Sequence, residues 1–429
     1  MIAKTRQLLY NKGKMYTYKE IPAMKKNILV GQSGGPTAAI NASLYGVVTE
    51  GMNHLDEVEH VYGMVNGIEG FLKDTYINLS EDLTQKELDL IKLTPAAYLG
   101  SCRYKLPKDL TSPLYPTLFR KLDALEIGYF FYIGGNDSMD TVSKLSRYAS
   151  QVGSPIRFIG IPKTIDNDLM LTDHTPGYGS AAKYVASTVR EIALDASVYQ
   201  QQAVTIIELM GRGAGWLSAA SVLARKHEGD NPLLIYLPEA PFDFQSFTRD
   251  LTDALRQRPD VIVCVSEGIS DVSGRLICEY NDEARLDNFG HKMLTGCGKV
   301  LENFVHNHFS IKARSVELNV SQRCSGMILS ETDIHEAAMA GAFGVCAALE
   351  GTTGKMVAFH RTPDTPYAIE CSLVDVNQVC NREKPFPKGW ITCHGSNISH
   401  DFHSYVLPLI QGEPKRAMSQ GLPVYAYRK

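Results

Sequence analysis

The stretch YFFYIGGNDSMDTVSKLSRYAS, residues 129–150, carries the pattern that sets the fold. It opens on an unbroken apolar and aromatic run, as in a strand covered on both faces. Gly134 and Gly135 end that run, and residues 139–150 read as an amphipathic helix. The same order of strand, glycine-rich turn and helix recurs along the chain. Strands are expected at 27–30, 129–133, 157–161, 204–209, 233–237 and 261–266. Helices are expected at 37–49, 115–125, 139–150, 180–196, 215–225, 244–258 and 335–349. Such alternation predicts an α/β fold with mostly parallel sheets and helices on both faces. Residues 1–26 and about 376–429 fit the pattern poorly. They are expected to be extensions that pack on the core or on a neighbouring copy.

Composition narrows the function classes. The chain has 429 residues, 44% of them hydrophobic, with 43 Lys and Arg against 47 Asp and Glu. At ~150 residues per domain this predicts two or three domains. The basic excess of a nucleic-acid binder is missing, so any bound anion must be met by locally gathered cations. The run AAMAGAFGVCAAL at 337–349 is too short for the ~18–20 residues of a membrane span and reads as a buried helix. No membrane or nucleic-acid partner and no secretion signal are expected. Nine cysteines without a CxxC pair argue against disulfides or zinc and fit a reducing cytoplasm.

Ligands of open α/β sheets gather at the carboxyl ends of strands. Here those ends carry GQSGGPTAAIN (31–41), GGNDS (134–138), PKTIDND (162–168), MGRGAGW (210–216) and the pair Glu267 and Gly268. Together they predict an active-site rim. Gly34 and Gly35 suit either a phosphate cradle at a helix start or simply a tight turn. A P-loop is excluded, since GxxxxGK[ST] does not occur. Gly211, Gly213 and Gly215 resemble a dinucleotide fingerprint with the wrong spacing. With Glu239 for a ribose, they keep a nicotinamide enzyme as a rival.

Asp166 and Asp168 can share one pocket, one accepting a proton while the other orients a hydroxyl or a metal-bound water. Lys163 suits an anionic ligand and is expected to hold Asp166 ionised. Asn136 and Asp137 open a helix, where a carboxylate caps or meets a cation such as Mg²⁺. Arg103, Arg314 and Arg323 gain meaning only within a larger pattern. His306 and His308 have the spacing of one strand face and no partner cluster for a metal.

Taken in order, SGGPTAAIN, YLGSCRY, IGGNDS, PKTIDND, ELMGRGAG, VSEG and SQRC resemble the 6-phosphofructokinase family over about residues 27–350. The resemblance implies two Rossmann-like lobes with the active site between them. Residues 27–177 with 322–375 would form the phosphoryl-donor lobe and 178–321 the sugar-phosphate lobe, with 1–26 and 376–429 as extensions. The implied reaction phosphorylates the C1 hydroxyl of fructose 6-phosphate. Members that use ATP usually read GGDGS and PGTIDND. Asp137 and Lys163 in those two motifs are similar to the pyrophosphate-dependent branch. A carboxylate at 137 would repel and exclude the α-phosphate of ATP, and Lys163 would neutralise pyrophosphate.

Carried over residue by residue, the resemblance makes Asp166 the proton acceptor, with Thr164, Ile165 and Asp168 beside it. Gly35, Arg103, Asn136 and Lys163 would meet pyrophosphate. Met210, Gly211 and Arg212 would form the sugar-phosphate loop, Arg212 also steadying the transferring phosphoryl group. Glu267 would bind sugar hydroxyls, and Arg314 and Arg323 the 6-phosphate. Mg²⁺ is the implied cofactor, on Asn136 and Asp137. Three positions depart from the family: Asn136 replaces a common Asp, Ala203 an Arg that reaches the neighbouring subunit, and Val320 a His. A homodimer or homotetramer is implied. The rival readings are an ATP-dependent phosphofructokinase, a kinase of another phosphosugar and a regulatory subunit that binds phosphosugar.

Overall fold

In the computed structural model, residues 10, 11, 14, 15, 25–280, 296–363 and 366–428 are described. The extension expected over 1–26 falls mostly outside them. Eleven strands build two sheets. They are β1 (Lys26–Gln32), β2 (Val58–Met64), β3 (Tyr76–Asn78), β4 (Ile127–Gly134), β5 (Arg157–Pro162) and β6 (Ala203–Leu209). The chain continues with β7 (Leu234–Tyr236), β8 (Asp260–Ser266), β9 (Lys312–Glu317), β10 (Lys355–Arg361) and β11 (Ile369–Asp375).

The larger sheet runs β11-β10-β5-β4-β1-β2-β3, with parallel pairing inside and an antiparallel strand at each edge. The smaller runs β9-β6-β8-β7 and is parallel throughout. Central strands are apolar on both faces, as parallel sheets require. Phe130, Phe131, Tyr132 and Ile133 of β4 are buried, as is every residue of β8.

The principal helices are α1 (Ile40–Asn53), α2 (Leu114–Ala124), α3 (Asn136–Val152), α4 (Tyr178–Ala196), α5 (Phe244–Gln257), α6 (Cys297–Phe309) and α7 (Glu331–Leu349). The small residues of α7 let it press against the backbone of α1, so the apolar run is indeed a buried helix. Three expectations need correction. The helix expected from residue 37 begins at Ile40, leaving 33–39 as a loop. The helix expected over 215–225 is one turn, Trp216–Ala219, followed by the 3-10 turn Ala220–Ala224. His306 and His308 lie on α6, whose buried Cys297, Leu301 and Val305 recur every four residues.

β2, β3, β9, β10 and β11 escaped the sequence reading. β3, β9 and β11 are half-exposed edge strands, β2 carries polar residues within it, and the buried run of β10 is only Met356–Phe359. The chain beyond 375 packs on the core. Phe386, Phe402, Val406 and Leu409 are buried in one cluster with Trp216 and with Ile207 and Ile262 of the smaller sheet.

Candidate active site

Loops after β1, β4 and β5 converge on a cleft of about 390 Å³. Gly35, Arg103, Asn136, Asp137, Lys163, Thr164, Ile165, Asp166, Asp168, Met210 and Arg323 all line it, although they lie far apart in sequence. Gly34 takes φ +76, the left-handed conformation that lets the loop turn above Lys163. Ser101 donates its hydroxyl to Gly34 O at 2.6 Å and fixes the same turn from the Arg103 side. The positive end of α1 does not support this loop directly, since the helix starts only at Ile40.

Lys163 is 2% exposed. Its ammonium donates to the carbonyl oxygens of Ser33, at 3.2 Å, and Gly35. Burial pushes its pKa down to about 8, which still leaves it charged at neutral pH. Lys163 acts on Asp166 in the expected direction, toward the ionised form, but is not the dominant influence. Burial pushes the Asp166 carboxyl above the usual range, the nearby Glu267 adds to this, and the pull of Lys163 is weaker than either. Asp168 is raised by burial and then by Asp166. Thr164 restrains the turn, accepting from Asp166 N at 3.1 Å and donating its hydroxyl to Asp166 Oδ2 at 3.4 Å. A carboxylate with a raised pKa is the stronger base, which is what proton removal from a hydroxyl requires.

Asn136 and Asp137 open α3 behind Gly135. Asn136 donates to Asp168 Oδ2 at 3.3 Å, while its own Oδ1 is buried with no hydrogen-bond partner. An orphaned amide oxygen beside carboxylates is a hard oxygen donor set of the kind Mg²⁺ takes, so these residues fit that ion. Asp137 is neither buried nor a cap. It stands 66% exposed, 3.3 Å from the equally exposed Lys105. Such a pair adds little stability, and the first turn of the helix favours the carboxylate in its own right.

From the smaller sheet Met210 lines the cleft, while Gly211, Arg212 and Glu267 stand on the adjoining loops and are not among its lining residues. Gly211 N donates to Glu267 Oε1 at 3.3 Å, and Ser266 Oγ donates to Gly211 O at 2.6 Å, tying the loop after β6 to the end of β8. Burial raises the Glu267 pKa to about 7. Arg212 is exposed on the same loop and acts electrostatically on Glu267. Arg314 is not brought to this cleft. It lies on β9 in a separate cavity of about 440 Å³ with Ala203, Thr205 and Tyr199. Glu239, proposed for a ribose, is committed elsewhere: its Oε1 accepts from Gly215 N at 2.9 Å and Phe386 N at 2.8 Å. That removes the nicotinamide reading's acidic residue.

Two contributors went unread in the sequence. Ser33 lines the cleft and its hydroxyl meets that of Ser138. It lies inside the first motif, where the glycines drew the attention. Glu383 lines the cleft from the segment beyond 375, which has no strand-end pattern to signal it.

A glycine-rich cradle over a buried lysine, facing paired carboxylates and a second polar loop, defines a two-lobed α/β phosphotransferase. More narrowly, the chain belongs to the phosphofructokinase family, whose model matches residues 27–345. The pyrophosphate–fructose 6-phosphate 1-phosphotransferase of Halomonas elongata is 37% identical over 404 residues, 93% of this chain and 95% of that one. A pyrophosphate-dependent phosphofructokinase from Nitrosospira multiformis superposes with a TM-score of 0.85 at 33% identity, over 94% of this chain and 96% of that one. One from Marinobacter aquaeolei gives 0.84 at 36%, over 93% and 95%.

Proposed function

We infer that this chain transfers a phosphoryl group from pyrophosphate to the C1 hydroxyl of fructose 6-phosphate, reversibly, giving fructose 1,6-bisphosphate. The observation that carries the choice of donor is Lys163, whose buried side chain lies under Gly34 and Gly35 where ATP-using members keep a glycine. It puts a positive charge under the anion cradle. Asp137 at the cleft mouth adds a negative charge where a longer polyphosphate would have to pass.

In the mechanism we propose, Asp166 accepts the proton of the C1 hydroxyl while Asp168 and Thr164 hold the turn. Gly35, Arg103 and Lys163 bind pyrophosphate. Met210, Gly211 and Arg212 bind the sugar phosphate, and Arg212 also stabilises the transferring group. Glu267 accepts from sugar hydroxyls, and Arg323 meets the 6-phosphate. Phosphoryl transfer asks for positioning and charge neutralisation, and these residues supply both. Asn136, with Asp137 or Asp168, would hold Mg²⁺; when bound, the ion supplies charge neutralisation at pyrophosphate oxygens.

We further propose 27–177 with 322–375 as the donor lobe, 178–321 as the sugar-phosphate lobe and 376–429 as an extension. A homodimer or homotetramer is proposed in which Arg314 serves a neighbouring copy. The exposed Leu194, Val198 and Tyr199 near its cavity support that reading. A cytoplasmic location is supported by nine free cysteines. Among the described residues no helix is long and apolar enough to cross a membrane. The deciding experiment compares turnover with pyrophosphate and with ATP at equal Mg²⁺. Faster turnover with ATP overturns the donor assignment.

A further inference from the structure

Lys384 sits in the segment beyond 375, outside every motif that signalled the site. Its backbone N donates to Asp168 O at 2.7 Å. Its ammonium donates to Asn167 Oδ1 at 3.3 Å, Thr172 O at 3.1 Å and Asp173 O at 2.8 Å, which uses all three protons. On its other side, Lys384 O accepts from Trp216 Nε1 at 3.0 Å, and the ammonium lies 4.8 Å from a Trp216 ring centroid. Trp216 opens the helical turn that follows the 210–215 loop. One residue therefore joins the turn bearing Asp166 and Asp168 to the loop bearing Arg212.

Asn167, between the two aspartates, is fully buried and holds φ 53. A non-glycine residue stays in that region only when its surroundings fix it. Lys384 takes one end of its amide, and Tyr405 takes the other at 3.0 Å. Next to Lys384, the Glu383 carboxylate packs against Gly213, where a Cβ would push it aside.

We propose that Lys384 is a positioning residue for the phosphoryl transfer, holding the 166–168 turn in fixed relation to the 210–216 loop. Lys384 does not line the cleft, so it acts through Asn167 and Asp168 and not by touching either substrate. The proposal rests on the phosphotransferase reading above.

The test uses the full chain, with pyrophosphate, fructose 6-phosphate and Mg²⁺. If the unaltered enzyme shows no turnover, the functional reading itself fails. Given turnover, Lys384→Met is expected to lower kcat about 100-fold, the usual effect of a slight misplacement, with both KM values within about threefold. Lys384→Arg, which keeps a cationic donor, is expected to recover at least about tenfold of that loss. Asn167→Gly keeps the backbone free to adopt positive φ but removes the amide. It is expected to lose kcat similarly, and the double variant should be no slower than Lys384→Met. A folded Lys384→Met enzyme with undiminished kcat overturns the proposal, whatever its melting temperature. If Lys384→Met does not fold, Asn167→Gly decides alone, and undiminished kcat there has the same force.

Discussion

Asn136 donates its amide to Asp168 at 3.3 Å, across the gap between the loops that follow β4 and β5. The contact gives Asp168, whose pKa is already raised by burial, Asp166 and Glu383, a neutral donor in place of another carboxylate. Asn136→Asp would remove that donor and add a like charge. The variant is expected to melt lower than the original without Mg²⁺ and to gain more from added Mg²⁺, because three carboxylates repel until a cation sits among them. Thermal melts across a Mg²⁺ series check this. Equal gains in the two proteins would remove Asn136 from the metal side.

Asp166→Asn should lower kcat by about two to four decades, the usual contribution of a general base, while leaving KM for both substrates nearly unchanged. Steady-state kinetics in the forward direction give the answer. A near-normal rate assigns the proton to another group.

Lys163 and Asp137 should differ sharply when replaced. Asp137 is exposed, so Asp137→Gly is expected to lose only about 1 kcal/mol, from the helix's first turn, and to gain measurable ATP turnover or binding. Lys163→Gly strips the donor from the carbonyls of Ser33 and Gly35 and should destabilise the fold by about 1–3 kcal/mol. ATP titrations of the single and double variants, with denaturant melts alongside, separate the effects. If neither the single nor the double variant takes up ATP, the exclusion argument at residue 137 is wrong.

Glu267 gives a pH dependence. Burial raises its pKa from an ordinary 4.5 to about 7. The folded state thus holds this proton more tightly than the unfolded chain does. Its contribution to stability is full below about pH 4.5 and is lost as pH rises toward 7. Glu267→Gln stays neutral throughout, so it should gain on the original enzyme between about pH 5 and about pH 8. Paired melts at those two values test the sign, and a constant difference refutes it.

Most strands with continuous apolar runs, and the loops at their carboxyl ends, were legible in the sequence because burial on both faces leaves no room for polar residues, although β10, buried over Met356–Phe359, was missed. β9 and β11 were not, since an edge strand tolerates charge on its open side. Within the site, Asp166, Lys163 and Asn136 could be read from their place after strands. The environment of Asp166 could not: whether a neighbouring lysine outweighs burial depends on distances that spacing does not give. Glu383 and Lys384 were invisible for a related reason. Glu383 reaches the cleft, and Lys384 the turn behind it, from a segment whose position is set by the packing of Phe386 and Phe402 around Trp216.

Most of the cleft's lining hangs from the larger sheet and Met210 from the smaller. The two parts are joined both by Lys384 between loops and by Asp333 of α7, which accepts from Gly177 N and Ser180 N at the start of α4. On the proposed roles, a lineage could retune the donor side, as a substitution at 137 or 163 would, while the sugar side kept its preference. The reverse holds as well. On those roles a change of phosphoryl currency would be a short evolutionary walk, one that leaves the apolar packing of both sheets in place.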